Sequence, residues 1–200
     1  MTLWLIKVVE LWLGLSFHSL GIWPQSLSGL KGIVLAPFIH GSLSHLASNS
    51  IPLLVLGVAL FYFYREIAWK VVVWGAIITG LWVWVFARPS YHIGASGLIY
   101  SLLGFLFVSG ILRRYHRLMA LSLLVAFLYG SLIWGIFPIK EQMSWESHLM
   151  GLLAGALLAV FFRDHGPQRP KYSWEMEEDQ EEPGDEDEFE DVLPWNQTQA

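Results

Sequence analysis

Tyr91-His92-Ile93-Gly94-Ala95-Ser96-Gly97-Leu98-Ile99-Tyr100 leads into an apolar run that continues to Leu112. The stretch sets one serine between glycines at the mouth of that run. A second apolar run opens with Ser147-His148-Leu149-Met150-Gly151-Leu152-Leu153-Ala154-Gly155. A serine and a histidine, each near the start of an apolar helix, point to hydrolysis carried out inside a bilayer. Polar groups at that depth are costly and are retained for a reason.

The rest of the chain fits that setting. Of 200 residues, 54% are hydrophobic and eleven are tryptophan. The apolar residues gather into runs long enough to cross a hydrocarbon core, which takes roughly 20 helical residues. Residues 1–163 therefore read as one all-α, polytopic membrane domain. The absence of cysteine excludes disulfides, thiolate catalysis and thiolate metal sites. The net charge of -5 conceals two opposite halves: residues 1–163 carry +6 and residues 164–200 carry -11. The acidic stretch has too little apolar surface to fold alone and reads as a disordered C-terminal tail.

Six membrane helices are expected, at 3–22, 42–64, 69–87, 96–112, 117–137 and 145–162. Lys7 and Glu10 fall inside the first, three residues apart, where they can neutralise each other. Basic residues set the orientation. With the N-terminus in the cytoplasm, Arg65, Lys70, Arg113, Arg114, Arg117, Arg163, Arg169 and Lys171 lie inside, against Lys31, Arg88 and Lys140 outside. Both termini are therefore expected to be cytoplasmic, with Glu10 on or near the cytoplasmic half. Trp23, Trp69 and Trp145 fit interfacial anchors, and Trp82 and Trp84 fit packing positions. Helices two, four and six then share an outer N-terminal side. That brings His45, Asn49, Ser96 and His148 to similar depth on one face of the membrane.

Serine needs a base to take its proton, and His148 is suited to the task. Ser96 opens a helix, where unpaired backbone N–H groups can stabilise an oxyanion. Gly94 and Gly97 remove bulk beside it. Tyr100, one turn further on, shares its face and can pack against an imidazole. His45 and Asn49, four apart on one helix face, can complete an oxyanion hole. Gly151 and Gly155 form a Gly-x-x-x-Gly face that permits close helix approach in lipid. No carboxylate is placed to orient His148, since Glu146 points to another face and Glu141 lies in a loop. A dyad is therefore expected rather than a triad. No His-Glu-x-x-His motif is present, and no metal or cofactor is expected. His18, His92 and His116 read as structural hydrogen-bonding residues, and His40 stays open. Asn196-Gln197-Thr198 matches a glycosylation sequon in a segment expected to be cytoplasmic.

His45-x-x-x-Asn49, Gly94-x-Ser96-Gly97 with Tyr100, and His148-x-x-Gly151-x-x-x-Gly155 together resemble the rhomboid family of intramembrane serine proteases, in its basic six-helix bacterial form. The resemblance implies cleavage of transmembrane-protein substrates near the outer membrane face, in a bacterial inner membrane, with no nucleic-acid partner. It implies Ser96 as nucleophile and His148 as general base and acid. Asn49, His45 and the Ser96 N–H would form the oxyanion hole, with Tyr100 stacked on His148 and small residues preferred before the scissile bond. The Trp-Arg pair of the first outer loop of some members is missing, which bears on lipid contact and gating. Ser147 stands where alanine commonly precedes the histidine. A proteolytically inactive rhomboid-like protein that binds or delivers membrane clients is the alternative, and a small transporter a third. The former usually lacks nucleophile or base, and the latter would show midplane charges.

Overall fold

The computed structural model describes residues 2–113, 116–128, 134–138 and 143–166. All of them lie in the first of two units of the chain, Met1–Gln168. Residues 167–200 of the acidic tail, with the sequon, and the loop residues Lys140 and Glu141 lie outside the described residues. So do residues 129–133 of the fifth expected span.

Among the described residues the secondary structure is helical. The helices are α1 (Thr2–Trp12), the short α2 (Gly32–Leu35), α3 (Leu43–Phe63), α4 (Ala68–Phe86), α5 (Ser96–Leu112), α6 (His116–Leu128) and α7 (Trp145–Phe161). Among the described residues the extended pairing is a single antiparallel bridge between Ile22 and His92. Two helices, α3 and α4, are both long and apolar enough to cross a membrane by themselves; α5 and α7 are apolar and slightly shorter.

A helix that is apolar on every side belongs in the middle of a bundle. α5 is that helix. Ile99, Leu102, Phe105 and Leu106 on its different faces are all sealed from solvent, packed with Leu56 and Leu60 of α3, Val71 of α4 and Leu158 of α7. The outer helices carry large apolar side chains on their other face, including Leu54, Val58, Trp69, Trp74, Phe86 and Phe161. Such a surface suits hydrocarbon rather than water. Trp84 lies near the end of α4, where its indole N–H donates to the Ser26 carbonyl at 2.9 Å and tethers the first loop.

The first expected span is corrected by the structure. Helix stops at Trp12 instead of running to residue 22, and its 11 residues cover only about 16 Å of rise. Gly14 adopts φ +62 just beyond the last turn, the left-handed conformation that closes helices. The Lys7–Glu10 pair explains the turn. Lys7 Nζ donates to Glu10 Oε2 at 2.8 Å and to the His40 carbonyl at 2.9 Å, while Glu10 Oε1 accepts from Phe17 N–H at 2.9 Å. Both side chains are buried. The pair thus lies toward the end of the bundle that carries His40, not toward the opposite end where Glu10 had been expected. Breaking a buried pair leaves an uncompensated charge, at a cost of about 3–5 kcal/mol. Lys7→Ala is expected to lower the thermal midpoint in detergent by several degrees, and Lys7→Ala with Glu10→Ala to recover part of the loss.

At the other end of α5, Arg113 is buried instead of standing in a loop as an exposed anchor. Its guanidinium donates to the carbonyls of Phe162, at 2.7 Å, and His165. It also donates to Ser109 Oγ and lies 5.1 Å from the centre of the Tyr64 ring. A fixed, planar donor here binds two carbonyls just beyond the C-terminus of α7. The lower ends of α3, α5 and α7 are thereby locked together.

Candidate active site

The site forms where α5 and α7 meet, and glycine controls how closely they meet. A Cβ on Gly151 would collide with the Gly97 carbonyl, and one on Gly155 with the Ser101 carbonyl and the Phe105 nitrogen. Gly104 returns the contact, because a Cβ there would strike the Leu152 carbonyl. Three glycines on two helices therefore place backbone against backbone. Residues one turn above that seam, at the helix N-termini, face each other.

Ser96 and His148 are those residues. Ser96 is the first residue of α5 and His148 lies in the first turn of α7, both buried. Ser96 Oγ is 2.9 Å from His148 Nε2. The other ring nitrogen, Nδ1, is 2.8 Å from the Gly135 carbonyl. A carbonyl only accepts, so Nδ1 carries the hydrogen in the neutral ring. Nε2 is then the acceptor for the Ser96 hydroxyl. The Tyr100 ring stacks on the imidazole with centroids 4.3 Å apart and planes 10° from parallel. Among the described residues no carboxylate bonds the histidine. Glu146 turns away to Arg88, with Oε1 3.3 Å from the Arg88 Nε.

His45 and Asn49 come to the same place from α3. Ser42 caps that helix by accepting from the His45 N–H at 3.0 Å. Gly94 has φ +107, a conformation open to glycine and strained for other residues. The space where its side chain would be is occupied from across the site. A Cβ there would lie 2.9 Å from His45 Nε2 and 3.5 Å from Asn49 Nδ2. Asn49 is buried, and among the described residues its Nδ2 has no acceptor. The first N–H groups of α5, Ser96 included, have no carbonyl to bond within the helix. Asn49 Nδ2, a donor with no acceptor among the described residues, and the His45 ring therefore lie against Gly94, two residues before Ser96.

His40 packs behind them. Its ring meets His45 edge-on at 5.1 Å, and its Nε2 accepts from the Ala95 N–H at 3.4 Å. Burial, with His45 close by, pushes His40 down to about 4, so it is neutral at pH 7 and able to accept that bond. A small cavity of about 30 Å³ opens beside the seam, lined in part by Thr79, His92, Gly94, Gly97 and Ser147. No group of metal-binding side chains occurs among the described residues.

Sequence reasoning missed Gly135 because the interaction is made by its backbone, which no side-chain pattern marks. Removing one oxyanion donor typically costs about 10²–10³-fold in turnover. Asn49→Ala is expected to lower kcat by about that factor with little change in KM. Gly94→Ala, which strains the backbone and fills the same space, should lose at least as much. Steady-state kinetics on a cleavable membrane substrate would measure both.

The Rhomboid domain matches residues 28–165, which contain every residue of the site. Uncharacterized proteins of Mycobacterium tuberculosis and Mycobacterium bovis are each 36% identical over 168 residues, an overlap of 78% of this chain and 69% of theirs. One of Mycobacterium leprae is 37% identical over 169 residues, covering 78% of this chain and 66% of its own. On the extent of the domain match and of these relatives, the chain belongs to the rhomboid family of integral membrane proteins.

Proposed function

We propose that the chain is an intramembrane serine endopeptidase that cleaves transmembrane-protein substrates through a Ser96–His148 dyad. The observation that carries this reading is the 2.9 Å approach of Ser96 Oγ to His148 Nε2, with Nδ1 held by the Gly135 carbonyl. The dyad members come from different helices, and a neutral imidazole aimed at a serine hydroxyl is the resting state that acyl transfer requires.

In this mechanism Ser96 Oγ attacks the scissile carbonyl carbon while His148 Nε2 takes its proton. The tetrahedral oxyanion is met by the Ser96 N–H, Asn49 Nδ2 and His45. Collapse breaks the C–N bond, His148 protonates the leaving amine, and an acyl-Ser96 ester remains. Water then attacks the ester with His148 as base, releasing the acid product and regenerating Ser96. Tyr100 holds the imidazole plane throughout. The Gly135 carbonyl takes the orienting part that an aspartate takes in a triad, without its negative charge.

The membrane domain is read as residues 1–163, with α1, α3, α4, α5, α6 and α7 as its six membrane helices and 164–200 as an acidic cytoplasmic tail. With both termini cytoplasmic, the dyad opens toward the outer face of a bacterial inner membrane. Substrates are transmembrane segments that reach it from the lipid and unwind near their outer end, with small residues before the scissile bond. Reconstitution with a single-span substrate tests the reading. Two fragments, with new termini near the outer end of the span, are expected. An intact substrate bound stably by folded protein would favour the non-cleaving, client-binding alternative.

A further inference from the structure

His92 lies four residues before Ser96, and Ser144 lies four residues before His148. The two are joined as the dyad is, with the roles exchanged: His92 Nδ1 is 2.5 Å from Ser144 Oγ. The other ring nitrogen of His92 is 3.0 Å from the Arg88 carbonyl and 3.3 Å from Ser90 Oγ. Because the carbonyl only accepts, Nε2 carries the hydrogen and Nδ1 accepts from the Ser144 hydroxyl. Burial holds His92 below the ordinary imidazole value, which keeps the ring neutral.

With its hydrogen directed to His92, Ser144 Oγ is left as an acceptor. It accepts from the Ser147 hydroxyl at 2.6 Å and from the Ser147 N–H at 3.4 Å. Ser144 is the N-cap of α7, and its carbonyl accepts from the His148 N–H at 3.4 Å. The first turn of a helix has no intrahelical partners for its N–H groups, so its position depends on the cap. His148 sits in that turn. The backbone of His92 is itself fixed by paired hydrogen bonds with Ile22 at 3.0 and 2.9 Å. A further link lies beyond: Arg88 pairs with Glu146 at 3.3 Å and donates to the Met143 carbonyl at 2.9 Å.

We propose that His92 is a positioning residue for the Ser96–His148 pair: it holds the cap of α7 to the segment that delivers Ser96, and so sets the spacing between nucleophile and base. This deepens the serine-peptidase reading and rests on it. The ring hydrogen bonds of His92 run to Ser144, Arg88 and Ser90 and not to Ser96 or His148. His92 acts through Ser144, and Ser144 through the first turn of α7. Misplacing a reacting group by about 1 Å costs on the order of 10²-fold.

The test uses full-length protein reconstituted in lipid. The rate at which a fluorophosphonate probe labels Ser96 is measured together with kcat and KM on a single-span substrate. The variants are His92→Ala, Ser144→Ala, the double variant, and His92→Asn, which keeps a hydrogen-bonding group near Nδ1. Each alanine variant is expected to lower labelling rate and kcat by about 10- to 100-fold with KM within about twofold. The double variant should be no slower than the slower single one, and His92→Asn should recover most of the rate. Wild-type rates in Ser144→Ala or in His92→Ala, or losses that multiply in the double variant, would overturn the proposal. If His92→Ala does not accumulate folded, Ser144→Ala and His92→Asn decide it alone. A wild type labelled at Ser96 alongside an equally reactive His92→Ala removes this proposal only. A folded wild type that is not labelled removes the peptidase reading and this inference with it.

Discussion

Ser96→Ala and His148→Ala are each expected to lower cleavage of a reconstituted membrane substrate by about 10⁴-fold or more, while the protein accumulates in the membrane at wild-type level. The double variant should be no slower than either single one, because nucleophile and base act as a unit and removing one disables the other. The folded state should tolerate both changes. The Ser96 hydroxyl donates only to His148, and the imidazole keeps its stack on Tyr100 whether or not the hydroxyl is there. Ser96→Ala should therefore leave the thermal midpoint close to wild type. His148→Ala removes the stack and the bond to the Gly135 carbonyl as well, and should cost about 1–3 kcal/mol of stability. Full activity in either variant, measured by fragment release, would remove the dyad.

The second large effect belongs to Gly155. It has no catalytic atom near it, yet a Cβ there would fall on the Ser101 carbonyl and the Phe105 nitrogen. These are backbone atoms of the central helix and cannot rotate away. α5 and α7 would have to separate, and overpacking of this kind costs about 1–3 kcal/mol before any loss of neighbouring contacts. Gly155→Ala is expected to lower the thermal midpoint by several degrees and cleavage by more than about tenfold, since the same seam fixes the Ser96–His148 distance. Gly155→Leu should not accumulate as folded protein. Gly57→Ala is the internal control: it lies on α3 with nothing within 4 Å of the added Cβ, and alanine is the better helix former. It should be neutral or slightly stabilising. If Gly155→Ala matched it, close backbone packing would not be what brings the dyad together.

Much of this was legible in the sequence, and the parts that were not share a physical cause. The ends of α3, α4, α5 and α7 fall within about a residue or two of their expected positions, because uniform apolar runs bounded by Ser42, Ala87, Ser96 and Ser144 leave little freedom. The approach of Ser96, His148, Tyr100, His45 and Asn49 could be anticipated because each lies near the N-terminus of an alternate helix, and parity alone then sets a common side. α1 went astray because an apolar run with one cation and one anion reads as a span with a neutralised pair. What ends it is the use of both charges by backbone groups, the His40 carbonyl 33 residues from Lys7 and the Phe17 amide just past the turn. Arg113 was counted as a loop charge because its acceptors, the Phe162 and His165 carbonyls, follow the end of α7, 49 and 52 residues further along the chain. The Gly135 carbonyl leaves no trace in side-chain chemistry. His92 was taken as a structural histidine, and its link to Ser144 became visible only when α5 and α7 were set side by side.

The most direct measurement is the site of covalent modification by a serine-directed fluorophosphonate. Protein reconstituted in lipid, treated with the probe, digested and sequenced by mass spectrometry should carry the adduct on Ser96, and His148→Ala should carry almost none. Folded wild-type protein that takes no adduct, or takes it on another serine, would contradict the assignment of Ser96 as the nucleophile.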